Sequence, residues 1–139
     1  MIQKLYNRGF TLIELLVVIA IIGILASVVL ASLNSARDKG TDAANKSSLN
    51  NMRAQAELVY DTDGDYTGVC EDSTISQAIT NAGASCADGS DTSGTYVFAV
   101  DLNDPSGDAY CVDNTGAAVE NTVTASTEVA DGVCDGDGT

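Results

Sequence analysis

A lone carboxylate in an apolar run is the first chemically informative feature of this chain. From Phe10 to Leu33 the only ionisable side chain is Glu14. As a helix rising ~1.5 Å per residue, that run would extend roughly 36 Å, enough to cross a bilayer core of about 30 Å. A charge near the bilayer centre costs on the order of 2.5–3.5 kcal/mol, so a carboxylate one turn inside such a helix needs a partner. The residues ahead of it, Met1–Gly9, form a short polar leader with Lys4 and Arg8 and no apolar segment. A secretory signal peptide carries its apolar region before the cut; here it follows Gly9. A cut between Gly9 and Phe10 would keep the apolar run on the mature chain and create an amine at Phe10, one turn from Glu14. Ammonium and carboxylate could then neutralise each other, within one chain or between neighbours. An ordinary signal anchor with a chance glutamate is the plain alternative.

Two further sets of residues have chemistry to offer. Asp61-Thr62-Asp63-Gly64-Asp65 alternates carboxylates in the manner of a calcium loop, D-x-D-x-[DN]-G, which makes Asp61, Asp63 and Asp65 calcium candidates. The glycine falls one residue early and no glutamate closes a twelve-residue loop. A polar turn ending a helix is the structural alternative. Cys70, Cys86, Cys111 and Cys134 all lie beyond the apolar run. An even number in a small exported domain implies disulfides formed outside the cytoplasm. Zinc ligation is disfavoured, since the chain has no histidine and no close Cys-x-x-Cys pair. No Gly-x-Ser-x-Gly and no phosphate loop occur, and abundant aspartates do not make an acid–base pair. The chain is not expected to be an enzyme, and calcium is its one cofactor candidate.

Charge is segregated along the chain. All six basic residues (Lys4, Arg8, Arg37, Lys39, Lys46, Arg53) precede Ala54, and seventeen Asp and Glu follow it, with no Lys or Arg. Such a surface repels phosphate backbones, so direct nucleic-acid binding is not expected. A solvated, self-repelling exterior is the simplest reading of the acidity. Lys4 and Arg8 ahead of the apolar run put the leader in the cytoplasm and the cysteines outside.

Gly9-Phe10-Thr11-Leu12-Ile13-Glu14 resembles the processing site of type IV pilins and their pseudopilin relatives. The resemblance implies cleavage after Gly9 by a prepilin peptidase, N-methylation of Phe10, and pairing of Glu14 with the N-terminus of an adjacent subunit during assembly. It further implies a structural subunit, major pilin-like, of a type IV pilus. That subunit would reside in the cytoplasmic membrane as a single-pass protein, its C-terminal domain outside, and on the cell surface once assembled. Its partners would be identical or related pilin subunits, the peptidase and the assembly machinery. A pseudopilin of a type II secretion or DNA-uptake system would carry the same motif, and a membrane-anchored calcium-dependent binding module is a rival from another class. The proline that bends many helices of this family is missing; the region reads Val28-Val29-Leu30-Ala31-Ser32.

The elements that must position these residues follow an α+β plan. One N-terminal helix is expected from about Phe10 to Tyr60, with residues 10–33 as the transmembrane or filament-core part and 34–60 as the amphipathic part. Gly23, Ser27, Ala31 and Ser35 form a stripe of small residues suited to helix packing. Apolar positions recur at Leu33, Ala36, Gly40 and Ala43, then at Leu49, Met52, Ala56 and Val59. The slip between the two sets suggests a kink near Gly40–Ser47. Residues 61–139 form the acidic extracytoplasmic region, a small antiparallel sheet packed on the helix. It holds a short helix over Ser73–Ile79 with Ser73 as N-cap, and strands over Tyr96–Leu102, Ala109–Asp113 and Ala117–Val123. Residues beyond Cys134 read as loose. Of three connectivities, Cys70–Cys86 would close the short helical loop. Cys111–Cys134 would tie the sheet to the C-terminal segment, as a C-terminal disulfide does in many pilins.

Overall fold

The computed structural model describes residues 9–90, 94–103, 106–122 and 124–135. The leader ahead of Gly9, with Lys4 and Arg8, and the tail beyond Asp135 lie outside these residues. The chain divides into two compact units, Met1–Arg37 and Asp38–Thr139.

The first unit is helical from Leu12, where α1 (Leu12–Asp63) begins. Every residue from Gly9 to Arg37 is exposed. The helix has the length and apolarity to cross a membrane. One of its polar side chains is satisfied locally: Ser27 Oγ donates to the Gly23 carbonyl at 2.9 Å, which removes the cost of a bare hydroxyl in an apolar setting.

The second unit is α+β. Helical backbone continues through Gly40–Ser47 without a break and on to Asp63, three residues past the expected end. Gly64 N still donates to the Tyr60 carbonyl at 2.8 Å. Gly64, at φ 81°, then turns the chain left-handed, a conformation that costs glycine nothing. A 3-10 turn at Val69–Glu71 and α2 (Ser73–Ala82) follow. Asp72, not Ser73, caps α2: its carboxylate accepts from Thr74 N and Ile75 N, satisfying two of the donors a helix start leaves open.

Four strands, β1 (Ser85–Ala87), β2 (Val97–Asp101), β3 (Ala109–Asp113) and β4 (Ala118–Asn121), form an antiparallel meander in chain order. Ala99 faces Cys111, and Cys111 faces Val119. α3 (Ala125–Asp131) ends the described fold. Strand alternation sends side chains to two different layers. Tyr96, Phe98, Val100, Leu102, Tyr110 and Val112 pack with Leu49, Met52 and Ala56 of α1, and with Tyr66, Val69 and Ile75. The Leu49, Met52, Ala56 and Val59 stripe therefore faces the sheet, whereas Ala36, Gly40 and Ala43 are exposed. Val97, Ala99, Ala109 and Cys111 face the other way, against Ala125 and Cys134. Small side chains on that face let a short helix sit close to the sheet. The sheet is thus covered on both sides, where one covered face was expected.

The acidity has a structural component as well as a solvated one. Asp42 Oδ1 accepts from Asn103 N and Nδ2 at 3.0 and 2.8 Å, fixing α1 to the loop after β2. Asp101 Oδ1 accepts from Ala125 N at 2.7 Å, capping α3 from a neighbouring strand. Asp113 takes Thr115 N and Ala117 N on one oxygen and Cys134 N on the other. Buried backbone N–H groups need acceptors, and ionised carboxylates make the stronger bonds.

Candidate functional site

The N-terminal segment contains the residues the sequence singles out. Gly9 and Phe10 precede the helix, and Phe10 is 84% exposed. Among the described residues no atom lies within 4 Å of where a Cβ on Gly9 would sit. The described residues leave room for a side chain there. Glu14 sits in the first turn of α1. Its Oε2 accepts from Thr11 N at 2.9 Å and from Thr11 Oγ1 at 2.7 Å, while Glu14 N donates to Thr11 Oγ1 at 3.3 Å.

This is a reciprocal capping arrangement, with Thr11 at the N-cap and Glu14 three residues on. It bonds two of the helix's otherwise open donors and places a negative charge at the positive end of the helix dipole. Thr11 is the residue that reading the sequence for a charge partner overlooked. The signal was present as Thr11-Leu12-Ile13-Glu14, the S/T-x-x-E pattern ahead of an apolar run. In the described chain Glu14 is therefore held by a local donor at the residue next to Phe10.

The calcium candidates are not gathered. Asp61 and Asp63 fall within the last turn of α1, where residues two apart point to different sides. Asp65 Oδ1 is engaged by Thr67 N at 2.9 Å. The three carboxylates do not come within 4.8 Å of one another as a set. The expectation took the helix to end at Tyr60; its continuation through Asp63 is what separates them. As described, the three carboxylates are not assembled into one cluster.

The cysteines pair as Cys70–Cys86 and Cys111–Cys134, with Cα–Cα distances of 6.0 and 5.6 Å. Glu128, fully buried, lies within 4.8 Å of the Cys111 and Cys134 sulfurs. Those sulfurs are bonded to each other and so offer no thiolate ligands. Glu128 Oε1 accepts from Asn121 Nδ2 at 2.9 Å, joining α3 to the end of β4. Asp88 supports the first disulfide from behind: Oδ2 accepts from Gly68 N and Cys70 N, and Oδ1 from Ser90 N and Oγ.

An exposed apolar helical segment with one carboxylate in its first turn, a Gly-Phe junction ahead of it in sequence and a disulfide-closed α+β unit later in the chain are features similar to those of type IV pilin-like proteins. Residues 4–30 match the family described as the prokaryotic N-terminal methylation motif. Over 60 residues the chain is 43% identical to the type IV wide pilus major component PilA4 of Thermus thermophilus, a match covering 43% of this chain and 46% of that protein. No solved structure gave a significant match.

Proposed function

We propose that this chain is a structural subunit of a type IV pilus, made as a membrane precursor and assembled by packing of its N-terminal helix. The observation that carries the reading is the uncovered apolar stretch of α1 with its single carboxylate. Leu12, Ile13, Ile24 and Val28 are each more than 60% exposed, a patch far larger than a chain surrounded by water tolerates. Lipid covers it in the membrane, and copies of the same helix cover it in a filament. A prepilin peptidase cuts after Gly9, and the new Phe10 terminus is methylated. Glu14 exchanges its bond with Thr11 for the N-terminal amine of a neighbouring subunit as the filament grows. Partners are thus like or related subunits, the peptidase and the assembly machinery, and the chain moves from the cytoplasmic membrane to the cell surface. Similarity to PilA4, a pilus component, favours a pilus subunit over a pseudopilin.

The test is mass spectrometry of the mature chain together with assembly of Glu14→Ala. The mature chain is expected to begin at N-methylated Phe10. Glu14→Ala is expected to stay in the membrane and to yield no filaments, because the incoming amine is left uncompensated in an apolar core. A mature chain beginning at Met1, or wild-type filament yield from Glu14→Ala at equal expression, overturns the reading.

A further inference from the structure

Three tyrosines stand in one stack where α1 gives way to the rest of the second unit. Tyr60, near the end of α1, and Tyr66, just past the Gly64 turn, have ring centroids 4.7 Å apart at an interplanar angle of 36°. Tyr66 meets Tyr96 edge-on, at 4.9 Å and 74°. The stack runs from surface to core: Tyr60 is 44% exposed, Tyr66 8% and Tyr96 0%. Such spacings are ordinary for packed aromatic rings; the added feature here is a base. The Tyr66 hydroxyl donates to the Glu57 carboxylate, 3.1 and 3.2 Å from its two oxygens, within the reach that a proton acceptor needs.

A phenol gives up an electron more readily when its proton can leave at the same time. Tyr66 has Glu57 for that proton, and exposed Tyr60 has solvent. Tyr96 has neither: it is fully buried, and its hydroxyl meets no hydrogen-bond partner among the described residues. The outer pair is therefore the one that an oxidant can convert to two neighbouring phenoxyl radicals. Spin in a phenoxyl radical sits partly on the ring carbons ortho to the oxygen, and rings already stacked can couple there.

We propose that Tyr60 and Tyr66 are a site of oxidative cross-linking, joined as dityrosine by a one-electron oxidant. Two equivalents of the oxidant are reduced as the two phenols are oxidised. The Tyr66 proton passes to Glu57, which is exposed and hands it to water; the Tyr60 proton goes to water directly. One carbon–carbon bond forms between ortho carbons, and the hydrogens on those carbons move to the oxygens. The product is thus lighter by two hydrogens in all. The link spans Gly64 and ties the end of α1 to the segment that follows it. It does not depend on the subunit reading, and its failure leaves that reading untouched.

The test is photo-oxidation of the full chain, dilute in detergent, with tris(bipyridyl)ruthenium and persulfate. Digestion before aspartate cuts at Asp61, Asp63 and Asp65 and separates the two tyrosines unless they are joined. The expected product is the Tyr60 peptide bonded to the Tyr66 peptide, two hydrogens lighter than their sum and fluorescent as dityrosine. Tyr60→Phe keeps the ring and is expected to abolish this product. Glu57→Gln keeps an acceptor of the same shape without the base, and is expected to slow coupling severalfold at an unchanged melting temperature. Oxidation in urea is expected to lose most of the link, because closeness in sequence alone does not hold the rings together. Absence of the link, links only between copies, a Tyr66–Tyr96 link in its place, or an equal yield in urea overturns the inference. A wild-type rate from Glu57→Gln overturns the role of Glu57.

Discussion

Asp88→Asn is expected to be among the most damaging isosteric changes in the second unit. Asp88 is 5% exposed, and each of its oxygens faces two donors. Oδ2 meets Gly68 N at 3.1 Å and Cys70 N at 3.3 Å; Oδ1 meets Ser90 N at 3.1 Å and Ser90 Oγ at 2.6 Å. An amide has one acceptor end and one donor end. Whichever way Asn is turned, its NH₂ confronts two donors. At least two charge-assisted bonds are lost and backbone N–H groups lose their acceptor, for a cost of about 2–3 kcal/mol. For a unit of this size that corresponds to a fall in Tm of roughly 10–20 °C. Burial pushes the Asp88 carboxyl pKa up, but bonds from Ser90, Cys70 and Gly68 outweigh it and hold the value below the ordinary 3.8. The folded chain thus binds the ionised form more strongly than the unfolded chain does. Stability from this group is present above its ordinary pKa and is lost as the pH falls through that value toward the lowered one. Thermal melts of the detergent-solubilised chain at pH 7 and pH 3 are the assay. Wild type should lose more stability between the two pH values than Asp88→Asn. A variant that melts within 2 °C of wild type at pH 7, with the same loss on acidification, refutes the reasoning.

Three other changes test the packing around α1 and the sheet. A Cβ on Gly89 would lie 3.0 Å from Thr67 N and 3.2 Å from the Tyr66 carbonyl carbon; Gly89→Ala should therefore cost about 1–3 kcal/mol, read as a lower urea midpoint with an unchanged slope. Arg53→Ala should cost about 1–2 kcal/mol, since it removes a part-buried bond to the Ala117 carbonyl along with the packing of its stem. Glu120→Ala should cost under about 1 kcal/mol, because its ion pair with Lys46 is largely solvated. Urea melts that rank these two in the opposite order would show that the hairpin is held by the ion pair instead.

What could be read from the sequence was what repeats. The Leu49, Met52, Ala56 and Val59 spacing gives the sheet-facing stripe of α1, and the alternation from Tyr96 to Leu102 gives the layer that packs on it. β3 has the same bounds in sequence and structure because a polar turn flanks each end. The misses have separate causes. β1 is three residues long, too short to show a period. α3 has a fully buried glutamate at Glu128, which breaks any apolar stripe, and its N-terminus is capped by Asp101 from a distant strand, a partner no local pattern reveals. The end of α1 was misplaced because Asp61 and Asp63 favour turns, yet the helical backbone continues through them to Gly64. At the N-terminal segment, reading Glu14 only as a membrane charge hid its second identity as half of a capping pair with Thr11.

The two disulfides have a mechanical consequence. Their sequence separations are 16 and 23 residues, and neither includes a residue of α1. Under tension the stretches inside these loops cannot pay out, so the roughly 3.3–3.6 Å that each unfolded residue would otherwise add to contour length is withheld there. Between the second half of α1 and the sheet, by contrast, nothing but the backbone through Gly64 is covalent. A pull on the helix is resisted by the seam of Leu49, Met52 and Ala56 against Tyr96 and Phe98, and by the bonds of Asp42 to Asn103. The disulfides therefore limit how far the unit can stretch, while the seam sets the force at which it begins to yield.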